Sequence, residues 1–555
     1  MFNELRDIQA IHGYLPTDQL YKLSAKLKMP VSEIHAVASF YPHFYLNPPP
    51  KVDVRVCADM SCHLLGATQL RQFIDQAFAG RPAAEISVRD VSCLGRCDTA
   101  PALSINDRIY SGAGPQMTLD MIEGAMQGKM PSHASRKHIR KELETDPYQG
   151  PSSYKAVRQF VEGRDFNAVL NSLKASTLRG MGGAGFPTGT KWEIVRNAPG
   201  VQKYIVCNAD ESEPGTIKDR FIMESAPHLV IEGMIVAGLV TGATKGFIYI
   251  RHEYEEPREI LQEEIQRCYR ERVLGRGIFG SDLDFDLEIF VSPGGYICGE
   301  ESALLEAMEG KRAEPRNKPP FPGTNGLWNA PTVINNVETF AFATAILVNG
   351  AEWYKKQGVN GIAGLKFVGI SGDVVYPGVY EVAMGVSYRD LIFKYAGGIR
   401  DGQRLLGFAP SGPSSGYLPA SLVDLPLDFK ALADAGSMVG SGAIVVCAEG
   451  RCMLDMAINS TRFFRNESCG KCVPCRMGSQ KLVDLLTRWT RGESRENDMT
   501  VMDDLFKAMR LTSICGLGQI IHAPVASIIK HFPGVIDEHI KGRRCSGGVC
   551  FRSGG

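Results

Sequence analysis

The sequence has no excess of charge of either sign. Its 555 residues include 61 Lys and Arg and 61 Asp and Glu, so the formal charge at pH 7 is zero. Balanced charge offers no electrostatic argument for a nucleic-acid partner or for an anionic membrane surface. We therefore expect this chain to recognise its partners at specific sites and predict no nucleic-acid binding.

Long apolar runs are absent as well. The most apolar stretch, residues 229–243, is interrupted by Glu232 and is shorter than the roughly 18 residues that a membrane-spanning helix needs. We predict a buried helix there and no direct membrane insertion. The first ten residues lack a basic segment followed by an apolar one, so no secretory signal is visible and a cytoplasmic location is predicted.

Cysteine, by contrast, is abundant, with 15 residues. A reducing compartment disfavours a disulfide framework, so these thiols are expected to be metal ligands or core residues. Eight of them form two sets of four, and four thiolates is the number that a 2Fe–2S or a 4Fe–4S cluster requires. The first set is Cys57, Cys62, Cys93 and Cys97, and the second is Cys469, Cys472, Cys475 and Cys515.

The first set lies in a predicted small α/β domain, residues 51–130. Residues 1–50 form a helical segment that three consecutive prolines close, since they cannot continue a helix. Alternating residues then predict one strand leading to Cys57 and a second leading to Cys93, with a helix between them. The ligands would lie on two neighbouring loops, with buried core thiols as the alternative. The polar residues 131–153 are predicted to be a linker.

The second set has the spacing of a cubane cluster. Cys469, Cys472 and Cys475 share one tight loop, and Cys515 follows after a long helical pattern. Three ligands on one loop cap one face of the cube, and a remote fourth reaches the opposite corner. A zinc site is the alternative, but structural zinc sites usually take their cysteines as two pairs from two separate segments.

A glycine-rich segment lies between the two cysteine sets. Gly180, Gly182 and Gly185 follow the G-x-G-x-x-G pattern, which is weak evidence by itself. Glycines let backbone amides approach a phosphate, and Lys191 can supply the countercharge. The residues before Gly180 have a helical pattern where a standard dinucleotide fingerprint needs a strand, so a plain Rossmann site is not predicted.

An acidic run follows the strand-like residues 203–206. Asp210, Glu211 and Glu213 would repel one another unless they accept hydrogen bonds from ribose hydroxyls, amides or a nicotinamide. A solvated acidic loop is the alternative interpretation. The run therefore predicts the nucleotide side of a binding site.

Three long segments carry a family resemblance: LRGMGGAGFPTGTKW, CNADESEPGT, and SPGGYICGEESALLEAMEGKRAEPRNKPPFP with the later PTVINNVET. Together they resemble the FMN- and NADH-binding flavoprotein subunit of respiratory complex I and its relatives in soluble NAD-linked hydrogenases and formate dehydrogenases. The resemblance covers nearly all of residues 154–540. CADMSCHLLGA and VSCLGRCDTAP resemble the thioredoxin-like 2Fe–2S domain of the small hydrophilic subunit of complex I.

The resemblance implies which residues bind each cofactor. The first cysteine set would hold a 2Fe–2S cluster and the second a 4Fe–4S cluster. The residues implied to bind FMN are Gly180, Gly182, Lys191, Asn208, Asp210, Gly299, Glu300, Asn335 and Asn336. The residues implied to line the NADH site are Phe186, Glu211, Glu213, Tyr296, Glu301, Lys318 and Phe321.

Two departures from the family pattern stand near these segments. Met181 occupies a position where relatives commonly have Arg, and Ile194 a position where they have an aromatic residue. The first removes a partner for a phosphate or carboxylate, and the second removes an adenine-side contact. Nucleotide affinity or preference is therefore expected to differ from that of the relatives.

The patterns and the resemblance together predict an α/β multidomain protein. After the thioredoxin-like 2Fe–2S domain come a Rossmann-like FMN and NADH domain (154–360), a β-grasp domain (361–440) and a helical-bundle 4Fe–4S domain (441–540). The helical pattern is predicted to begin after Ala443. No cluster of ligand-type residues appears in the β-grasp segment, so we interpret it as structural.

The last segment, residues 541–555, contains two further cysteines. Cys545 and Cys550 cannot hold a cluster by themselves, but with His539 and either Cys452 or Cys447 they would form a Cys₃His zinc site. The tail resembles that of flavoprotein subunits of electron-bifurcating hydrogenases. A tail with two idle thiols is the alternative interpretation.

Electron counting completes the functional prediction. NADH gives up two electrons as a hydride, whereas iron–sulfur clusters accept them singly, so a flavin must stand between them; the cofactors carry this chemistry, and no catalytic nucleophile is assigned. The sequence predicts an NADH dehydrogenase (diaphorase) subunit that works with iron–sulfur and catalytic partner subunits. The alternative is a redox-sensing or assembly protein that keeps its clusters as structural staples. An NADPH-specific module is a further rival, and the absence of basic residues beside Glu213 favours NADH.

Overall fold

The computed structural model describes residues 1–130, 142–148 and 152–551. Most of the predicted linker, residues 131–153, and the last four residues lie outside these ranges. The described chain forms a mixed α/β protein with three separate sheets. Two of the sheets and the helices around them carry the residues that the sequence assigns to cofactors.

The N-terminal region consists of three helices followed by a four-stranded sheet. The sheet has the order β2-β1-β3-β4, and β1 pairs in parallel with β2, so both strands deliver their loops to the same edge. The predicted strands before Cys57 and Cys93 are both confirmed. The elements are α1 (Phe2–His12), α2 (Thr17–Leu27), α3 (Val31–Ala38), β1 (Val52–Cys57), α4 (Met60–Leu64), α5 (Ala67–Ala77), β2 (Ile86–Val91), β3 (Ala102–Ile105), β4 (Arg108–Ser111) and α6 (Pro115–Met126).

The central region is built on an open, fully parallel sheet flanked by helices. Its order is β7-β6-β5-β8. The elements are α7 (Lys155–Gly163), α8 (Phe166–Ala175), α9 (Thr188–Asn197), β5 (Tyr204–Ala209), α10 (Lys218–Ser225), α11 (Pro227–Thr241), β6 (Lys245–Ile250), α12 (Glu255–Arg270), β7 (Asp286–Val291), α13 (Glu301–Met308), β8 (Thr332–Asn336), α14 (Val337–Asn349) and α15 (Ala351–Lys356).

The strand order of this sheet creates a crevice. The chain adds β6 and β7 on one side of β5 and then returns to the other side as β8. The connection from β5 leads to β6 on one side, whereas β8 lies on the other side of β5, so a crevice forms at the carboxyl ends of β5 and β8. Open α/β sheets bind ligands at such a switch point.

The buried helix predicted over residues 229–243 is confirmed as α11. Pro227 occupies its first turn, where a missing amide costs nothing, and Gly242 ends it in the left-handed conformation. Glu232 is fully buried, and its carboxylate accepts hydrogen bonds from Tyr148 Oη and from the amide of Ala156. Within the described ranges no single helix is long and apolar enough to cross a membrane; α10 and α11 meet that test only jointly, and they are bent by 93°.

The third sheet has five strands in the order β10-β9-β13-β11-β12. Its elements are β9 (Leu365–Gly372), β10 (Gly378–Ala383), α16 (Tyr388–Asp390), β11 (Leu405–Pro413), β12 (Leu418–Pro419), α17 (Phe429–Asp434) and β13 (Ala443–Ala448). The expectation that helix begins after Ala443 is wrong, because the β-branched run there forms β13, which pairs with β9 and β11 at the centre of the sheet. The sheet therefore extends beyond residue 440.

The C-terminal region is helical, as predicted. Its helices are α18 (Met453–Asn466), α19 (Val473–Thr490), α20 (Asp498–Thr512), α21 (Gly516–Ile520), α22 (Ala523–His531) and α23 (Pro533–Ile540). Apolar side chains of α18, α19 and α22 pack in one core with those of α1, α3 and α13. The N-terminal helices thus join the helical region to the central domain instead of standing apart.

Candidate functional site

The predicted flavin residues meet at the switch point of the parallel sheet. Asn208 lies near the end of β5 and pairs in register with Asn336 at the end of β8. Asn208 Nδ2 donates a hydrogen bond to the carbonyl of Gly299 over 2.8 Å. Asn336 also caps α14, since its Oδ1 accepts from the amide of Glu338. The ends of two parallel strands and a third loop therefore surround one crevice.

The glycine loop crosses directly over β8. An added Cβ at Gly182 would lie 3.0 Å from Cβ of Asn336, so a larger residue would crowd Asn336 at this close approach. The amide of Met181 donates to Thr339 Oγ1 over 2.9 Å and holds the loop against α14. Gly180 donates its amide to the carbonyl of Phe186, which closes the turn. The loop backbone is therefore fixed in place before any ligand binds.

Lys191 lies at the beginning of α9, beside this loop. Its Nζ donates to the carbonyl of Ile334 over 3.0 Å and lies 3.9 Å from the carboxylate of Glu301. Burial lowers the pKa of Lys191, although Glu301 partly offsets this. A cation held at the edge of a glycine loop suits a phosphate.

Two buried oxygens at the crevice have no hydrogen-bond partner within the described residues. They are Oδ1 of Asp210, after β5, and Oγ1 of Thr188, at the first position of α9. Burial raises the pKa of Asp210 to about 7. Buried polar atoms are nearly always paired, so these two atoms are available to hydrogen-bond a bound group. The residues present therefore fit a flavin nucleotide.

The carboxylate of Glu211 is engaged inside the protein. It accepts hydrogen bonds from the amides of Asp219 and Arg220, at the beginning of α10, and from the hydroxyl of Tyr254. Burial raises its pKa to about 7, and the neighbouring Asp219 adds to this effect. Glu211 thus ties the acidic run to α10, and its contact with NADH stays a prediction.

The predicted NADH side contains two exposed aromatic residues and a lysine that is paired with two glutamates. The residues Phe186 and Phe321 are 44% and 57% exposed, so both aromatic side chains are accessible for stacking. Lys318 Nζ lies 2.8 Å from Glu300 Oε1 and 2.7 Å from Glu301 Oε1. Glu300 also caps α13 by accepting from the amides of residues 302 and 303.

Three of the predicted residues also make contacts within the protein. Asn335 Oδ1 accepts from Trp192 Nε1 over 2.9 Å, so its side chain is used within the core. Glu213 Oε1 accepts from the amide of Ser414 over 3.0 Å, and burial raises the pKa of Glu213. Tyr296 is anchored by its amide, which donates to Glu467 over 2.7 Å.

The first cysteine set is gathered at the edge of the N-terminal sheet. All four thiols are buried, and Sγ of Cys93 lies 3.5 Å from Sγ of Cys97. Cys57 contacts Cys62 and Cys93, and these hydrogen bonds raise its pKa. Four buried thiols, linked through the pairs Cys57–Cys62, Cys57–Cys93 and Cys93–Cys97, fit a 2Fe–2S cluster.

Two segments that contact the first set were not predicted from the sequence. The amide of Gly215 donates to Sγ of Cys97 over 3.2 Å. Arg251 donates to the carbonyls of both Cys93 and Glu211, over 2.7 and 2.6 Å. Arg251 directly follows β6, and its place at the carboxyl end of a parallel strand was the available signal.

The second cysteine set lines one pocket in the helical region. Cys472 immediately precedes α19, Cys475 lies in its first turn, and Cys515 immediately precedes α21. Helix N-termini carry partial positive charge and favour anionic ligands, so this placement fits thiolates around a 4Fe–4S cluster. The pocket is lined by Ile297, Pro315, Ser468, Cys469, Lys471, Cys472, Cys475, Ile514, Cys515 and Leu517.

A third group of metal-binding side chains forms at the C-terminus. The ligand atoms of Cys452, His539, Cys545 and Cys550 all lie within 4.8 Å of one another. Sγ of Cys452 is 3.6 Å from His539 Nε2 and 3.9 Å from Sγ of Cys550. His539 Nδ1 donates to the carbonyl of Val535 over 2.7 Å, which leaves Nε2 facing the thiols.

The electrostatics of this group suit a cation. The hydrogen bond from Cys550 lowers the pKa of Cys452 to about 5. Burial lowers the pKa of His539, but its contacts with Cys452, the Val535 carbonyl and Cys545 together outweigh burial and raise the pKa to about 9. A thiolate is therefore already favoured at Cys452. Cys447, the other candidate from the sequence, lies in β13 and is not part of the group.

Comparisons with known proteins identify three of these regions. Residues 1–126 match the model of the thioredoxin-like [2Fe-2S] ferredoxin family, residues 173–345 the Nuo51 FMN-binding domain, and residues 455–539 the iron–sulfur binding region of NADH-ubiquinone oxidoreductase F. The chain is 42% identical over 398 residues to a subunit of the NADH-quinone oxidoreductase of Rhizobium meliloti, covering 72% of this chain and 94% of that protein.

Two further relatives span almost the whole chain. The alpha subunit of the NAD-reducing hydrogenase HoxS of Cupriavidus necator is 33% identical over 559 residues, covering 97% of this chain and 91% of the relative. A solved structure of an NAD⁺-reducing [NiFe]-hydrogenase in the H₂-reduced state superimposes with a TM-score of 0.87 at 32% identity. That match covers 97% of this chain and 93% of the hydrogenase chain.

Proposed function

This chain belongs to the family of FMN- and iron–sulfur-binding NADH oxidoreductase subunits, and we propose that it passes electrons between NAD(H) and a catalytic partner subunit. It is an oxidoreductase subunit of a larger redox complex, with FMN, NAD(H), a 2Fe–2S cluster and a 4Fe–4S cluster as cofactors. The family resemblance that the sequence carried is thereby confirmed.

One arrangement carries the proposal: the flavin crevice touches both cysteine sets. Gly215, from the acidic run after β5, donates its amide to Sγ of Cys97 in the first set. Ile297, from the loop that holds Tyr296 and Gly299, lines the pocket of the second set. Contacts on both sides support electron exchange between the crevice and the two clusters.

We assign the FMN phosphate to the amides of the glycine loop and to Nζ of Lys191. Asp210 and Thr188 supply the buried hydrogen-bonding atoms that lack partners among the described residues. When bound, FMN accepts two electrons as a hydride and releases them singly, so the protein needs only to orient both nucleotides. No residue has to act as a nucleophile, or as an acid or base in the hydride transfer itself.

On the NADH side, Phe186 and Phe321 would stack on the adenine, because both rings have an exposed face. The carboxylate of Glu213 would accept from the nucleotide and repel a 2′-phosphate, which supports NADH over NADPH. Lys318 would exchange its contacts with Glu300 and Glu301 for the incoming nucleotide.

The proposed function predicts a coloured protein that oxidises NADH. The intact complex, purified without oxygen, should contain about one FMN per copy of this chain and should reduce a one-electron dye with NADH. Electron paramagnetic resonance of the reduced protein should show two iron–sulfur signals. Purified complex that has full iron content but neither flavin nor dye reduction would instead support the redox-sensing alternative.

Finer structural assignments belong to the proposal as well. The open parallel sheet, with ligand-type residues at its switch point, supports a Rossmann-like fold for the FMN domain. The five-stranded sheet of mixed direction supports a β-grasp fold for residues 361–448. A cytoplasmic location is also part of the proposal.

We further propose that Cys452, His539, Cys545 and Cys550 bind zinc. Four ligands with no open position are typical of structural zinc, and the spacing of their ligand atoms supports closure around a single ion. Cys452 immediately precedes α18, and His539 lies in α23. The site would therefore fasten the tail to both ends of the helical region.

A further inference from the structure

Two histidines and an aspartate meet where three parts of the chain join. His43 follows α3, Asp107 lies in the turn between β3 and β4, and His252 lies two residues after β6. One ligand atom from each of these side chains lies within 4.8 Å of the other two. None of the three is a residue assigned to the flavin, to either cysteine set or to the C-terminal group.

The two imidazoles lie side by side and leave a nitrogen free. Their ring centroids are 4.0 Å apart, with 32° between the ring planes. Nδ1 of His43 is buried, has no hydrogen-bond partner within the described residues and lies 4.0 Å from Oδ1 of Asp107. That separation is too long for a hydrogen bond. A small rotation of the side chains would bring both atoms to a metal ion, at about 2.0–2.2 Å from each.

The other side of the His43 ring faces a carboxylate. Nε2 of His43 lies 3.9 Å from Oε1 of Glu253, whose Oε2 is held by Nε of Arg251 over 3.0 Å. A carboxylate on the far nitrogen of a metal-binding histidine fixes its tautomer and leaves the near nitrogen for the ion. Gly294 has a φ of +98°, and an added Cβ there would lie 2.7 Å from Cδ2 of His43, so its backbone closes tightly against the ring.

Asp107 can reach an ion without leaving a cation unpaired. Nη1 of Arg55 lies 2.9 Å from Oδ1 of Asp107, and Nε of Arg55 donates to Asp53 over 2.8 Å. The side chain of Asp107 is 39% exposed, whereas that of His43 is 14% exposed, so the carboxylate has room to turn. Arg55 would then keep Asp53 as its partner.

We propose that His43, Asp107 and His252 bind one divalent ion such as zinc. Imidazole nitrogen and carboxylate oxygen are common ligands of such ions, and three protein ligands leave a position for water. The ligands come from the N-terminal helical segment, the 2Fe–2S domain and the FMN domain, so one ion would fasten all three together. The inference uses no residue assigned to FMN or NADH and is independent of the proposed electron transfer.

The test uses the intact complex with Cys550→Ser in this chain, because that change removes the ion proposed for the C-terminal group. The complex is equilibrated with Zn²⁺ alone, freed of unbound metal and analysed for zinc, iron and FMN. His252→Asn and Asp107→Asn, added to this background, each remove one ligand. His228→Asn is the matched control, since His228 is also buried and lies 3.2 Å from the carboxylate of Asp146 but belongs to neither group of metal-binding side chains.

Zinc should bind at about one ion per copy of this chain in the Cys550→Ser background. His252→Asn should remove it, and Asp107→Asn should raise the dissociation constant by at least roughly tenfold, since loss of even an outer partner costs that much. His228→Asn should bind zinc as the background does. X-ray absorption at the zinc edge should show nitrogen and oxygen neighbours at about 2.0–2.2 Å.

Three results would overturn the inference. They are a Cys550→Ser complex that binds no zinc, zinc binding that is unaltered in both His252→Asn and Asp107→Asn, and a sulfur neighbour at about 2.3 Å, which would place the ion on cysteines. Iron and FMN contents report whether each variant is folded. If His252→Asn loses them, the conservative change at the more exposed Asp107 decides. NADH oxidation by the same samples tests the proposed function separately.

Discussion

The amide of Gly215 donates a hydrogen bond to Sγ of Cys97 over 3.2 Å, although 118 residues separate them. Gly215 has a φ of +94°, and a Cβ there would lie 2.7 Å from Val445 Cγ2, so only glycine brings this amide to the thiol. The acidic run after β5 and the first cysteine set therefore form one packed unit. Hydrogen bonds from backbone amides to cysteine sulfur are among the factors that set the reduction potential of an iron–sulfur cluster.

Lys191→Ala should weaken FMN retention. Removing a charge-assisted contact costs about 1.5–3 kcal/mol, which corresponds to roughly 10- to 100-fold in the dissociation constant. Fluorescence titration of the flavin-depleted complex measures this directly. Lys430→Ala is the control, because Lys430 is an exposed residue of α17 that pairs with Asp434. Unaltered FMN affinity in Lys191→Ala would remove Lys191 from the flavin site.

Cys472→Ser should abolish the electron paramagnetic resonance signal of the 4Fe–4S cluster and electron transfer to an acceptor. Reduction of the flavin by NADH should stay intact. Flavin reduction needs no downstream acceptor, so rapid-mixing spectra should still show bleaching of the FMN band. Cys268→Ser is the control, because its thiol donates to Tyr154 and serine can keep that bond. If NADH does not bleach the FMN band of the Cys472→Ser variant, Cys472 supports the fold of the flavin site and is not needed only for electron transfer from the flavin.

Glu213→Gln should lose less activity with NADPH than with NADH. The neutral amide still accepts a hydrogen bond but no longer repels a 2′-phosphate, so the preference between the nucleotides narrows. We expect kcat/KM for NADH to fall on the order of tenfold. Glu193→Gln, which removes an exposed partner of Lys174, serves as control. Equal losses with both nucleotides would mean that Glu213 does not sense the ribose.

The C-terminal group should hold about one zinc ion per chain in the purified complex. Cys545→Ser or Cys550→Ser should release it, because three protein ligands hold zinc far less tightly than a closed tetrahedral site. Flavin and iron content should stay unchanged, since neither cysteine belongs to the other two sets. Elemental analysis decides the matter: iron without zinc in the unmutated protein eliminates the site.

Local patterns were sufficient for the elements that depend on short stretches of chain. The alternating residues before Cys57 form β1, and the apolar run with its proline and glycine ends forms α11. Both depend on side-chain periodicity and on turn residues a few positions apart. The run at Ala443–Ala448 was misassigned as the beginning of a helix, because pairing with β9 and β11 makes it a central strand.

The amino-acid sequence by itself determined the ligand chemistry, because thiol spacing and long cofactor segments are local properties of the chain. Only the tertiary structure decided which distant segments meet. It selected Cys452 over Cys447 for the C-terminal group, and it brought Ser414 to Glu213 across 201 residues of chain. Such contacts depend on sheet order and on the packing of whole domains, which no pattern within a short window encodes.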